Sequence, residues 1–210
     1  MMNNNTKQVV TQTAWNDFIK VTKERIERVS SRNKEYVLSE ETFRLDYALS
    51  LSKYMIASTS VFAEYPCDKA ESQKWDIYID DQNGDCIEIK FFRPIPSGYN
   101  PPFTQHLGAL LSDILKLTLL SNNERNKYLV VIADDKFSNY FINQDIIKSA
   151  TPSQHVLQIN LTSLQSTAQK EIEKRLKNIT VPGSISITVN QLKYDRCSNF
   201  SIYLLEISSG

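Results

Sequence analysis

The stretch that most constrains this chain is WDIYIDDQNGDCIEIKFF, Trp75 to Phe92, two alternating apolar and polar runs around a Gln-Asn-Gly turn. Strict alternation on both sides of a turn signal specifies an antiparallel hairpin with one buried face. Side chains alternate along a strand, so Glu88 and Lys90 share a face with Cys86, while Ile87, Ile89 and Phe91 take the other. The same rule sets Asp76 with Tyr78, opposite Trp75, Ile77 and Ile79. A two-residue Asn83-Gly84 loop would pair Asp76 with Phe91 and set the carboxylate against the apolar face. A three-residue loop, Gln82 to Gly84, with Gly84 left-handed and a bulge after it, pairs Asp76 with Lys90 and Tyr78 with Glu88. Only the second register agrees with the apolar pattern. It makes Asp76 and Glu88 diagonal neighbours, their Cβ atoms roughly 7 Å apart.

The rest of the chain supplies helices and a sheet around this hairpin. Trp15, Phe18, Ile19, Ile26 and Val29 recur at helical spacing between Thr13 and Arg32. Ser39 is a good N-cap for a second helix that opens with Glu40 and Glu41 and carries Phe43, Leu45, Tyr47 and Leu51. Val61 to Pro66 reads as a short strand stopped by proline. Arg93 to Pro102 holds four prolines and a glycine and must be a loop, and a third helix follows from about Phe103 to Leu120. KYLVVIADD, Lys127 to Asp135, is apolar throughout, as a central buried strand requires. HVLQINL reads as a strand, LQSTAQKEIEKRLKNI as a charged surface helix, and SISITVNQ and NFSIYLLEI as two strands around a polar turn. These elements predict one α/β domain over residues 1–210, a mixed central sheet flanked by helices, with the Asn-rich residues 1–8 disordered.

Composition narrows the function. Lys plus Arg and Asp plus Glu both number 24, so no global basic field announces a nucleic-acid partner, and any such site must be a local patch. MMNNNTKQ lacks the apolar core of a signal peptide and no run reaches membrane-spanning length, so a cytoplasmic protein with no membrane partner is expected. Three cysteines without metal-type spacing read as reduced core residues. His106 and His155 stand alone, with no nucleophile pattern beside them. The basic stripe Lys20, Lys23, Arg25, Arg28 and Arg32 is interleaved with Glu24 and Glu27 at salt-bridge spacing, as on a solvated helix face. Two carboxylates on a rigid hairpin, in contrast, form a hard oxygen site suited to Mg²⁺, with a lysine beside it to orient water or stabilise transition-state charge. A lone Glu-x-Lys on a strand is more often a solvated cross-strand pattern.

The order of an acidic helix (SEE), a strand, Asp76, a short hairpin, Glu88-Ile89-Lys90 and a helix opening with Gln105 resembles the PD-(D/E)xK nuclease superfamily, of restriction endonuclease-like fold. The resemblance covers residues 39–120, a little over a third of the chain. It implies Asp76 and Glu88 as ligands of Mg²⁺ or Mn²⁺, Lys90 as the catalytic lysine, and a helix glutamate as an outer member of the site. Glu40 shares a face with Phe43 and Tyr47, Glu41 with Leu45 and Ala48; the choice between them stays open, with Glu40 preferred. Glu64 and the helix with Gln105 and Asp113 also look like bacterial members of the superfamily. Trp75 stands where the family usually has proline. Gln105 is expected to contact substrate or attacking water, and Arg93 and Tyr99 to touch nucleic acid from the loop after the lysine. The implied function is a metal-dependent endonuclease acting on DNA, with RNA not excluded, in restriction, defence or repair. It is expected to act as a homodimer, because one site per chain must cut two strands. The competing readings are a degenerate module of the same fold that binds nucleic acid or a partner protein, and a pure interaction domain.

Overall fold

The computed structural model describes residues 4–31, 37–55, 59–81, 84–94, 99, 100, 102–122 and 124–209, side chains of 4–11 and 71 excepted. One mixed sheet gathers β1 (Ser60–Cys67), β2 (Ala70–Asp80), β3 (Asp85–Phe92), β4 (Lys127–Asp134), β5 (Ser153–Asn160), β6 (Ser184–Cys197) and β7 (Phe200–Ser209) in the order β1-β2-β3-β4-β7-β6-β5. Five helices flank it: α1 (Asn4–Ser30), α2 (Glu40–Tyr54), α3 (Phe103–Leu120), α4 (Asp135–Asn143) and α5 (Ser166–Arg175). The expected α/β architecture with a flanked mixed sheet is what the chain adopts. Its mixed character comes from β3 and β4, which pair in parallel across the α3 crossover, while the other neighbours are antiparallel.

Each face of the sheet has its own core. On one side α1 buries Ala14, Trp15, Phe18, Ile19 and Ile26, and α2 buries Phe43, Tyr47 and Leu51, against Ile77, Ile87, Ile89, Val130, Ile132 and Ile202. Both helices show the spacing of three and four residues that lines an apolar stripe. Arg25 ties them with a two-pronged bond to Asp46, at 2.7 Å to each oxygen. On the other side α3, buried from Leu107 through Thr118, covers Cys86, Leu129, Val131 and Leu205. Gly108 lets α5 approach α3 closely, since a Cβ there would stand 2.6 Å from the Ala168 carbonyl oxygen.

Several boundaries differ from the sequence expectation. The first helix begins at Asn4, so residues 4–8, expected to be disordered, lie in its opening turns, and 1–3 are outside the described residues. Pro66 does not stop its strand, because β1 is at the sheet edge and a missing N–H is tolerated there. β2 begins at Ala70, five residues before Trp75. Helix α4 has no counterpart in the sequence reading, its nine residues being too short to establish a helical period.

The hairpin register is the most consequential correction. Its ladder runs Ile77↔Ile87, Tyr78↔Cys86 and Ile79↔Asp85, which continued sets Asp76 across from Glu88 rather than Lys90. The connection after Ile79 is longer than three residues; Gln82 and Asn83 lie outside the described residues, Gly84 has φ +66°, and its N–H donates to Asp81 Oδ1 at 2.6 Å. The expected left-handed glycine is therefore present in a wider turn. A two-residue shift keeps every side chain on its face, so the apolar pattern could not tell the two registers apart. Trp75 also departs from expectation: it joins the α3-side core with Tyr78, while Ile77 and Ile79 join the other. The alternation breaks beside Glu64 of β1, whose φ of +53° lies in the left-handed region.

Candidate active site

Beyond Ile77 and Ile87 the strands part: β2 stays with β1 down to the turn at Asp68, and β3 stays with β4 up to Phe92. Main-chain N–H groups that an antiparallel ladder would use need other acceptors. Carboxylates take them. Asp76 Oδ2 accepts from the N–H of Ile89 at 2.8 Å, Glu88 Oε1 from Asp76 at 3.3 Å, and Glu40 Oε2 from Phe91 at 3.3 Å. The polar residues of the alternating pattern are thus anchored in the gap between the two strands.

Cations fill the spaces between these carboxylates. Lys90 Nζ lies 3.1 Å from Glu40 Oε1 and 3.0 Å from Asp113 Oδ2; the first is a hydrogen bond, the second is misaligned for one and is a coulombic contact. Lys116 Nζ sits 2.8 Å from Glu88 Oε1, and Arg44 Nη1 3.4 Å from Asp76 Oδ1. The cluster borders a cavity of about 210 Å³ lined in part by Glu40, Asp76, Glu88, Lys90, Asp113 and Lys116, with Arg175 of α5 at its wall. Ser39 fixes the end of α2 that delivers Glu40, accepting from the N–H of Thr42 at 3.2 Å. Asp113 and Lys116 are one helical turn apart on α3, so both point into the same space.

Electrostatics follow from the burial. Glu88, 3 % exposed, is pushed well above the ordinary glutamate range by desolvation, with Asp76 reinforcing and Lys116 opposing. Desolvation likewise raises Asp76, against the N–H of Ile89, and raises Glu40, against Lys90. Burial alone would lower Lys90 and Lys116, but the carboxylates around them outweigh it and both are raised. Lys90 is consequently a fixed ammonium, suited to orienting water and meeting negative charge, and unsuited to accepting a proton at neutral pH.

Of the residues singled out in the sequence, Asp76, Glu88, Lys90 and Glu40 come together. Glu40 rather than Glu41 reaches the cluster; Glu41 is largely exposed and pairs with Arg44 at 3.1 Å. Glu64 stands at the rim, paired to Arg44 at 3.1 Å and Lys74 at 3.6 Å. Gln105 does not line the cavity: it is exposed, on the opening turn of α3, a helix that packs against α5. Arg93 and Tyr99 are exposed outside the cavity, and residues 95–98 and 101 of their loop lie outside the described residues. His106 packs edge-on against Phe92 and Phe137, as an isolated packing histidine would. Of the basic stripe, Lys23 binds Asp195 and Arg25 binds Asp46, while Arg32 lies outside the described residues. Sequence reasoning missed Arg44 and Lys116. Lys116 had one available signal, a second charge beside Asp113 in a largely apolar helix.

A divalent metal suits the donor chemistry here, since the buried groups are carboxylate oxygens made costly by desolvation. Among the described residues, no three His, Cys, Asp or Glu side chains form a ready cage, so Asp76 and Glu88 would be the protein ligands, with water and substrate completing the shell. No family model matches the chain, and neither a curated protein nor a solved structure matches it.

Proposed function

We propose that the chain is a Mg²⁺- or Mn²⁺-dependent endonuclease that hydrolyses phosphodiester bonds in DNA. The observation that carries this reading is the convergence of Asp76 and Glu88, at the point where β2 and β3 part, with an ammonium clamped between Glu40 and Asp113 at an open cavity. The element order α2, β1, β2, β3, α3 also follows the order on which the nuclease resemblance rests. A dication held by Asp76 and Glu88 would supply an acidified water and neutralise charge on the phosphate. Lys90 orients the attacking water and meets the charge that builds on the pentacovalent phosphate. Glu40 and Asp113 hold Lys90 charged and fixed, so no energy is spent reorganising it during reaction. Duplex cleavage calls for two copies related by a two-fold axis, with a role in restriction, defence or repair.

A second reading has its own support: Glu88 and Asp76 already have cationic partners in Lys116 and Arg44, as in a nuclease-fold module that binds without cutting. Plasmid, single-stranded DNA and RNA are incubated with the protein plus Mg²⁺, Mn²⁺ or chelator, with light scattering for the oligomeric state. Metal-dependent cleavage of DNA by a dimer is expected. A protein that binds DNA equally with chelator and never cuts it is the second kind. No helix among the described residues is long and apolar enough to cross a membrane.

A further inference from the structure

Two ammonium groups reach the cavity and differ in what they hold. Lys90 is gripped from two sides by carboxylates of two helices. Lys116 leans on Glu88 Oε1 at 2.8 Å, its side chain 11 % exposed, and its Nζ lies 5.6 Å from the centre of the Trp75 ring. A carboxylate as buried as Glu88 requires a nearby positive charge to remain ionised. Lys116 supplies it. Any dication held by Glu88 would share the charge of that carboxylate with the Lys116 ammonium, so the two cations oppose each other.

We propose that Lys116 is a resident counter-cation of Glu88 whose charge opposes a divalent cation at the same carboxylate and thereby sets the affinity of the site. The inference rests on the metal-dependent reading given above. Residue type and surroundings fit the role. Lysine carries a compact charge on a flexible four-carbon stem, and can swing without dragging its helix. It already lines the cavity of about 210 Å³, so its ammonium faces the space a cation would enter. The face of Trp75, 5.6 Å away, is a second, weaker partner. Arg44 is a poorer competitor for Asp76, because its guanidinium is shared with Glu41 and Glu64 and sits 3.4 Å away.

The test is calorimetric titration with Ca²⁺ of the wild-type chain, Lys116→Met, which keeps the apolar stem, and Lys116→Arg, which keeps the charge. Tighter binding by Lys116→Met, on the order of tenfold or more, is expected, with Lys116→Arg near wild type. A structural role for Lys116 predicts no gain. In a Trp15→Phe background Trp75 is the sole tryptophan of the chain, and Ca²⁺ should change its emission when Lys116 is present and less so in Lys116→Met. Should Lys116→Met fail to fold, Lys116→Gln carries the same comparison. Binding by Lys116→Met alone also supports the inference, since it reveals a site that the lysine keeps closed. Equal or weaker Ca²⁺ affinity in Lys116→Met, with wild type binding, overturns this inference and leaves the nuclease reading intact. No binding by either chain overturns both.

Discussion

Two hairpins of the sheet, β2–β3 and β6–β7, are built from the same alternation and end differently. β6 and β7 stay paired from Ile187↔Ser209 to Cys197↔Phe200, interrupted by one bulge between Gln191 and Lys193. β2 and β3 pair only from Ile77 to Ile79 and then separate. Where β6–β7 satisfies its main chain with a neighbouring strand, β2–β3 uses Asp76, Glu88 and Glu40. A sheet that surrenders part of its ladder gains a place where charged groups can be buried and still be held rigidly. The long hairpin keeps its ladder, and the short one gives up regular pairing and holds the cluster of carboxylates and ammonium groups in its place.

The comparison can be tested by injuring each hairpin in turn. Phe200→Ala removes a fully buried ring at the start of β7, packed 5.8 Å from Phe91, and should cost about 3–5 kcal/mol in urea unfolding. Lys90→Ala should slow DNA cleavage by a factor on the order of 100 or more, about 2.7 kcal/mol of barrier, while Ca²⁺ binding persists. Asp76→Asn should instead weaken Ca²⁺ binding. Wild-type cleavage by Lys90→Ala would reduce β2–β3 to a second structural hairpin. Gly84→Ala places a Cβ at φ +66°, 2.1 Å from Arg125 Nη1 and 2.8 Å from Tyr78 Oη, and should cost about 2 kcal/mol, read as a lowered melting temperature. Because a two-residue slip is silent to the apolar pattern, this turn selects the register; if Gly84→Ala cleaves and melts like wild type, the turn does not.

The smallest effect is a pH dependence. Glu88 holds its proton more tightly folded than unfolded, because burial disfavours its charge. Such a group stabilises the fold below its unfolded value, and the contribution is lost as pH rises through its raised folded value. In chelator, the stability of wild type relative to Glu88→Gln should therefore fall as pH climbs above 4.5, the ordinary glutamate value. Lys90 and Lys116, both raised, remain charged through this range and add no slope. Urea titrations at intervals from pH 4.5 to 8 measure the difference, and a flat line would mean that Glu88 is hydrated.

The sequence made some of this legible and concealed the rest for identifiable reasons. Alternation assigned Glu88 and Lys90 to one face, and the Ser39 cap of α2 and the end of the proline-rich loop before α3 located the helices that complete the site. Register was hidden because pairing Asp76 with Lys90 or with Glu88 buries the same residues. Asp113, singled out only by the resemblance, and Lys116, signalled only as a charge in a largely apolar helix, became site residues through the packing of α3 on β3. Gln105 misled because a polar residue at a helix start suits several surroundings, and here its turn is exposed outside the cavity. Pairing across long sequence separations is what a one-dimensional reading lacks.

The bond from the Ile89 N–H to Asp76 has a consequence for how the protein exchanges hydrogen with solvent. That amide, and that of Phe91 on Glu40, are shielded by side chains rather than by a partner strand. Their protection depends on where two carboxylates point and not on global unfolding. Anything that draws Asp76 or Glu40 toward a ligand loosens these two protons while the rest of β3, locked to β4, keeps its own. Deuterium uptake at positions 89 and 91 is thus a gauge of the site, readable without substrate or turnover.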